Sequence, residues 1–399
     1  MATIDRLGCT KITSQHLIGS HWKNALNAIL KKSSHQLTIH LIVAARPNFM
    51  KVAPLYHALT REAWCQPQLV HTGQHYDPNM SDAFFRDLRL PDPHIHLGVG
   101  SGTHAEQTGG VMIAYERRCM AERPDWIIVV GDVNSTAACA MVGAKMQIPV
   151  VHLEAGLRSG DRRMPEEINR LVTDAITDVF WTPSPDADKH LLREGADPKR
   201  IERVGNIMID SYEMLRTHIE IDGTREKFGL QSNAYGVVTL HRPSNVDDHA
   251  ILKLLVNQLI EISRSIPLVF AVHPRTRIRL AEFDLLKALE SAAGLKVTDP
   301  LGYIQFMNLV SGCKLAITDS GGVQEETTYL GIPCMTLREN TERPITVAEG
   351  SNRLVKPEAM LDALADVVAQ RWPVSRRPEF WDGHVADRCV QSLRRRSGL

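Results

Sequence analysis

The stretch VGDVNSTAACAMVGAKMQIPVVHLEAGLRSGDRRMPEEINR, residues 130–170, decides how this chain folds. Residues 126–130, WIIVV, form an apolar run of strand length that stops at Gly131-Asp132, just ahead of the helix-starting residues Asn134, Ser135 and Thr136. A strand therefore delivers Asp132 to a loop. A helix is expected over 137–145, then a second buried strand over 148–153 that ends at Glu154-Ala155-Gly156. Beyond Arg158 and Asp161, Pro165 stands where a helix would begin, with Glu166 and Glu167 in its first turn and Arg170 one turn on. Two neighbouring strand ends and a helix start thus bring acidic groups together. Structural readings compete: Asp132 can act as a helix cap, and Glu166 with Arg170 fits an i,i+4 ion pair. Glu154 follows an apolar strand and precedes Ala-Gly, so it has no obvious structural partner.

Outward from this stretch, 399 residues with 43% hydrophobic content suffice for two domains with separate cores. Lys+Arg and Asp+Glu both total 46, which gives no support to a global nucleic-acid or anionic-membrane binder. Seven cysteines without a CxxC pair argue for a reducing compartment and against a disulfide framework or zinc site. The histidines lack companions at ligand spacing, so neither a metal nor another cofactor is expected. No apolar run approaches the roughly 20 residues that span a bilayer. A soluble, cytoplasmic protein without membrane or nucleic-acid partners is the expectation. Residues 1–36, whose only acid is Asp5, are expected to be a poorly ordered extension.

The regular pattern starts with a strand over 37–43, which runs into a loop and helix start carrying Arg46 and Lys51. Two cations beside helix N–H groups suit a phosphate or diphosphate, although a solvated loop Arg and helix Lys fit the spacing as well. No GxGxxG follows this strand, so a dinucleotide-binding reading has no support. A strand over 68–72 leads to Gln74 and His75, weak candidates for a cleft wall, and helices are expected over 81–88 and 104–120. A strand over 178–182, a helix over 186–194 and a short strand over 201–204 complete the first half, and near Gly205-Asn206 the pattern restarts.

In the second half, strands over 235–240, 266–272 and 314–318 end at His241-Arg242, His273-Pro274 and Asp319-Ser320-Gly321-Gly322, with helices over 250–263 and 279–291 between. Alternation in both halves predicts an α/β protein of two doubly wound, Rossmann-like parallel sheets. Ligands of such sheets sit at the carboxyl ends of the strands, so the cleft between domains is the expected site. Gly321 and Gly322 open a helix and could leave bare N–H donors for a diphosphate, or form only a tight turn; Glu326 could accept from ribose hydroxyls and Arg343 could add a phosphate contact. A helix over 380–396 is expected to pack back on the first domain. The expected division is an extension at 1–36, an N-terminal domain at 37–205, a nucleotide-binding domain at 206–375 and a returning segment at 376–399.

The motifs GDVNST at Gly131, HLEAGLRSGD at His152, PEEINR at Pro165, His-Arg at His241, DSGGVQEE at Asp319 and TERP at Thr341 occur in this order. In them the chain resembles the non-hydrolysing UDP-N-acetylglucosamine 2-epimerases, from Leu37 to the C-terminal helix. The resemblance implies the glycosyltransferase B-type fold, an isomerase active in its interdomain cleft, and reversible conversion of UDP-GlcNAc to UDP-ManNAc through elimination and re-addition of UDP. It implies Asp132, Glu154, Glu166 and His241 as catalytic candidates, and Arg46, Lys51 and Arg343 at phosphate. Ser320, Gly321, Gly322 and Glu326 would hold UDP, with Phe306 near the uracil. It also implies a homodimer that serves cell-surface polysaccharide biosynthesis. The family commonly has Gly-Thr before the first Arg-Pro and Glu after it; here Ala44, Ala45 and Asn48 stand there, and Ser244 replaces a frequent carboxylate. These departures bear on the sugar substituents, so a UDP-2,3-diacetamido-uronate is an alternative substrate. A UDP-sugar transferase of the same fold is the other alternative.

Overall fold

Strand β1 (Leu37–Val43, LTIHLIV) starts a parallel sheet, and the computed structural model describes residues 36–73 and 88–399 apart from the Arg46 side chain. Around β1 stand β2 (Cys65–His71), β3 (Ile95–His96), β4 (Trp126–Val130), β5 (Val150–Leu153), β6 (Val179–Thr182) and β7 (Ile201–Arg203) in the order β3-β2-β1-β4-β5-β6-β7. A second sheet contains β8 (Gly236–Thr239), β9 (Leu268–Ala271), β10 (Leu295–Thr298), β11 (Leu315–Thr318), β12 (Cys334–Thr336) and β13 (Asn352–Leu354), in the order β10-β9-β8-β11-β12-β13. Every pairing is parallel. Helices cover both faces of such sheets, which is why the central strands are apolar without alternation. Residues 127–130 are buried throughout.

Each sheet reverses its winding once, between β1 and β4 in the first and between β8 and β11 in the second. A crevice opens at such a switch point, at the carboxyl ends of the strands. Lys51, Asp132, His241 and Asp319 all lie on the segments that leave these four strands.

The Ile207–Ile221 helix joins the two halves, because it packs against both the Arg46–Thr60 helix and the Tyr303–Gly312 and Gly321–Leu330 helices. Ser211 Oγ donates to Met50 O (2.5 Å), Asn308 Nδ2 to Ile219 O (2.8 Å) and the Tyr329 hydroxyl to Glu213 (2.6 Å). The C-terminal segment returns to the first sheet. Trp181 Nε1 bonds Ser392, Trp381 Nε1 bonds Pro183 O and Trp126 Nε1 bonds Ser397, at 2.9–3.0 Å. A Cβ on Gly205 would stand 2.0 Å from Phe380 O, so the crossing needs glycine there.

Several boundaries differ from expectation for local reasons. The helix expected over 279–291 is two helices, Pro274–Glu282 and Leu286–Glu290, since Pro274 starts the first early and Asp284 turns the chain at φ 55°. The last helix runs Val385–Arg396; Phe380 and Gly383 have positive φ, and Asp210 takes the N–H groups of Val385 (3.1 Å) and Ala386 (2.8 Å) to fix the later start. Asn134 to Thr136 lie inside the Asn134–Lys145 helix and do not precede it. The helix expected over 81–88 and the extension at 1–36 fall outside the described residues, Leu88 and Gln36 excepted.

Candidate active site

The first half of the site is built under Gly131. Asn48 Oδ1 accepts from Ala45 N–H (3.1 Å), while its Nδ2 donates to Val130 O (3.1 Å), which ties the loop after β1 to the end of β4. One turn on, Lys51 Nζ pairs with Glu154 Oε2. Glu154 sits at φ 71°, in the left-handed region where a side chain is uncommon, and its N–H joins that of Ala155 on Trp181 O. The chain thereby turns sharply at the end of β5. A Cβ on Gly131 would lie 3.3 Å from Lys51 Nζ and 3.5 Å from Glu154 Oε2, so the bare glycine makes room for the pair. Glu154 Oε1 is buried with no hydrogen-bond partner among the described residues. Burial works against the Lys51 charge, but Glu154 and Asp132 outweigh it and raise its pKa, so Lys51 stays an ammonium.

Buried polar groups hold this loop. His152 stands between Asp174 (2.6 Å) and Gly131 O (2.8 Å), and Asp174 also accepts from Gly156 N–H (3.0 Å) and pairs with Arg158 (2.7 Å). Burial pushes Asp174 up, but His152 and Arg158 together hold it below its ordinary value.

Asp132 pairs through Oδ2 with Arg170 Nη1 (2.5 Å), and buried Arg170 also binds Glu167 (2.7 Å). Glu167 further accepts from Ser159 and Gly160 N–H at 3.0 and 2.9 Å. Arg170 therefore serves Glu167 and Asp132, and the i,i+4 pairing with Glu166 does not form. Glu166 is exposed and borders a half-open cavity of about 370 Å³ with Asp132, His104, Gln107, Asn134 and Asn169. Asn169 Nδ2 donates to Asp132 O (2.9 Å) and Asn134 Oδ1 (3.1 Å), fixing the Asp132 loop.

The second half centres on Asp319, fully buried at the end of β11. Its carboxylate accepts from His241 N–H (3.0 Å), Arg242 N–H (2.9 Å) and Asn245 Nδ2 (3.0 Å), and faces His241 Nδ1 at 3.0 Å. Nδ1 of His241 is thus committed to Asp319, which leaves Nε2 for the cleft. Ser320 is the N-cap of the Gly321–Leu330 helix without a side-chain cap bond. Gly321 faces the Arg343 guanidinium, since a Cβ there would lie 2.6 Å from Nη1, whereas a Cβ on Gly322 would meet nothing within 4 Å. The helix N-terminus and a cation thus share one place, an arrangement suited to an anion.

Arg343 is half-buried between two carboxylates: Nε on Glu325 (2.5 Å) and Nη1 on Glu342 (2.6 Å). Burial pushes Glu342 up, but Arg343 and Arg338 hold it well below the usual carboxylate range. One position past Glu325, burial raises Glu326 to about 8, beside the Tyr303 hydroxyl. Phe306 is half-buried against Ala316, Val323 and Cys334 on the flank of β11.

Across the cleft the halves sense each other. Burial raises the pKa of Glu325, and Glu154 across the cleft adds to that rise, whereas Arg343 and Lys51 oppose it. The structure therefore brings Lys51, Glu154, Asp132 and Arg343 into one electrostatic cluster, with His241 and the glycines at the facing strand ends. Glu166 stands at the outer cavity and Phe306 against the flank of β11. Gln74, His75 and the Arg46 side chain lie outside the described residues. Sequence reasoning missed Glu325, Asp319 and Asn169 as site residues. Glu325 lies one residue before Glu326 and Asp319 one before Ser320, so their place beside chosen residues was the available signal.

A family model described as UDP-N-acetylglucosamine 2-epimerase matches residues 57–394. The UDP-N-acetylglucosamine 2-epimerase of Methanocaldococcus jannaschii is 43% identical over 366 residues, covering 90% of this chain and 99% of the relative. The UDP-2,3-diacetamido-2,3-dideoxy-D-glucuronate 2-epimerase of Pseudomonas aeruginosa is 38% identical and covers 80% of this chain and 88% of its own length. The crystal structure of the M. jannaschii enzyme in complex with UDP-GlcNAc and UDP superposes with a TM-score of 0.81 at 40% identity, over 90% of this chain and 99% of that one.

Proposed function

The chain belongs to the UDP-N-acetylglucosamine 2-epimerase family, and from that premise we propose that it interconverts UDP-GlcNAc and UDP-ManNAc at carbon 2. The two-sheet, glycosyltransferase B-type architecture supports a substrate in the cleft between sheets, where ligands of such sheets sit. The observation that carries the reading is the Lys51–Glu154 pair under Gly131, electrostatically coupled to Arg343 at the start of the Gly321–Leu330 helix. An acid/base group next to cations and bare N–H donors is what this reaction requires.

The hydrogen on carbon 2 has no neighbouring carbonyl, so simple deprotonation would leave an unstabilised carbanion. Departure of UDP removes that difficulty: the carbon 2 proton passes to a carboxylate, the C–H electrons form the C1–C2 double bond, and the C1–O electrons leave with the diphosphate. A glycal remains. UDP oxygen then re-forms the bond to C1 while carbon 2 takes a proton on its other face. Asp132, Glu154 and Glu166 are the acid/base candidates, each from the first half. Lys51, Arg46, Arg343 and the Gly321-Gly322 N–H groups would stabilise the departing diphosphate, with His241 Nε2 beside them and Glu326 at the ribose. Phe306 is proposed at the uracil.

A UDP-2,3-diacetamido-uronate is the second reading, favoured by the 38% identical Pseudomonas relative and by Ala44, Ala45 and Asn48 at the first loop. Asn48 spends its amide on Ala45 and Val130, so this position offers no carboxylate to substrate. Offering each UDP-sugar separately and following the 2-epimer by anion-exchange chromatography decides between them. Faster conversion of UDP-GlcNAc supports the first reading, and conversion of the uronate alone replaces it.

The proposed division, 37–205, 206–375 and a returning 376–399, makes the chain near Gly205 a hinge. A smaller scattering radius with UDP than without supports that motion, and an unchanged radius opposes it. The reading extends to a cytoplasmic homodimer that supplies cell-surface polysaccharide synthesis, testable first by sedimentation.

A further inference from the structure

Arg343 is a cation at a helix N-terminus, but its guanidinium is not free to choose its direction. Glu325 Oε1 takes Nε at 2.5 Å, and Glu342 takes Nη1 at 2.6 Å. The plane of the group is thereby fixed along two edges, and neither bond uses Nη2. The fit is close enough that a Cβ on Gly321 would stand 2.6 Å from Nη1 and 3.1 Å from Cζ. Glu325 itself lies in the second turn of the same helix, is 2% exposed, and has an Oε2 with no partner among the described residues. A buried carboxylate with one unpartnered oxygen is costly to keep, and the ion pair with Arg343 is what it gains.

Glu342 has cations other than Arg343 beside it. It pairs with Arg338 Nη2 at 2.7 Å and lies 3.9 Å from Arg242 Nη2. Glu325 has no second cation at ion-pair distance among the described residues, and burial raises its pKa against the pull of Arg343 and Lys51. Its hydrogen bond is to Nε, which stands at the base of the guanidinium fork, whereas Glu342 holds the fork at Nη1.

We propose that Glu325 is a positioning residue for the anion site: by holding Arg343 Nε it presents the guanidinium, close against Gly321, to the diphosphate of the bound nucleotide. The proposal rests on the reading that a UDP diphosphate occupies the start of the Gly321–Leu330 helix. It assigns Glu325 no contact with substrate. Loss of the side chain leaves the guanidinium held by Glu342 at Nη1 alone, so its direction is less well fixed, and the cost appears as weaker nucleotide binding.

The test is a double-mutant cycle read by calorimetric titration of UDP, with thermal melts to confirm folding. Glu325→Ala is expected to weaken UDP binding about 10-fold or more in the Arg343 protein, as for loss of a charge-assisted hydrogen bond. In an Arg343→Lys background, which has no Nε edge to hold, the same change should cost less than about 2-fold. Glu325→Gln keeps an acceptor for Nε and should recover most of the loss. Equal losses in both backgrounds, or a Gln variant as weak as the Ala variant, would overturn the proposal. Should Glu325→Ala fail to fold, Glu325→Asp, which withdraws the acceptor by one methylene, carries the same comparison. If Arg343→Lys binds UDP as tightly as the parent, the diphosphate reading of Arg343 falls, and the role of Glu325 with it.

Discussion

Glu154→Gln separates chemistry from binding in this site. The amide keeps an oxygen that can accept from Lys51 Nζ, and glutamine tolerates the left-handed backbone, as Gln147 (φ 56°) and Gln370 (φ 55°) do in this chain. What it loses is the ability to carry a proton. A positioned acid/base group contributes about 10²–10⁴ in rate, so kcat should fall by that factor, about 2.7–5.4 kcal/mol at 1.36 kcal/mol per decade. Removing the charge beside Lys51 leaves a cation less neutralised, so UDP affinity should hold or increase. Stability should fall by no more than about 1.5–3 kcal/mol, the worth of a hydrogen bond to a charged group. Steady-state kinetics, UDP titration and a thermal melt on the same preparation provide all three numbers. A variant within tenfold of the parent kcat would refute the role given to Glu154, as would a loss of activity that follows unfolding.

Arg170→Leu should destabilise the fold by about 3–5 kcal/mol, because it strands buried Glu167 and frees Asp132, and a urea titration reads it. Asp319→Asn should lower kcat by about 10²-fold by releasing His241 Nδ1, with kinetics at several pH values as the check. Glu326→Gln carries a pH signature. The folded-state pKa of Glu326, about 8, lies above its unfolded value, so below the unfolded value it costs nothing, and the parent loses stability as pH rises from about 4.5 toward 8. The Gln variant has no proton to lose there, so its stability advantage should grow through this window and level off above it, as melts at pH 5, 7 and 9 would register.

Much of the fold was legible because buried parallel strands advertise themselves. Residues 37–43 and 126–130 are apolar runs that end where the strands end, and the polar residues after them mark the loops. What was not legible depended on tertiary contact. β3 is two residues long and β13 three, too short for any periodic signal. The start of the last helix is set by Asp210, 175 residues away from Val385. At the site, spacing paired Arg170 with Glu166, whereas the buried side of the Pro165–Ile176 helix offers Glu167. Lys51 with Glu154 joins positions 103 apart and could not be seen before folding. Glu325 was overlooked beside Glu326 because adjacent helical residues face different ways, and sequence does not say which one meets Arg343.

The most direct measurement is proton NMR of the protein with UDP-GlcNAc in deuterium oxide, following carbon 2 and the anomeric proton together. Elimination and re-addition predict deuterium at carbon 2 of the product UDP-ManNAc, and progressively of UDP-GlcNAc, as the mixture settles at equilibrium. UDP-ManNAc formed with its carbon 2 hydrogen fully retained would contradict the mechanism. UDP binding with neither exchange nor product would contradict the epimerase reading for this substrate.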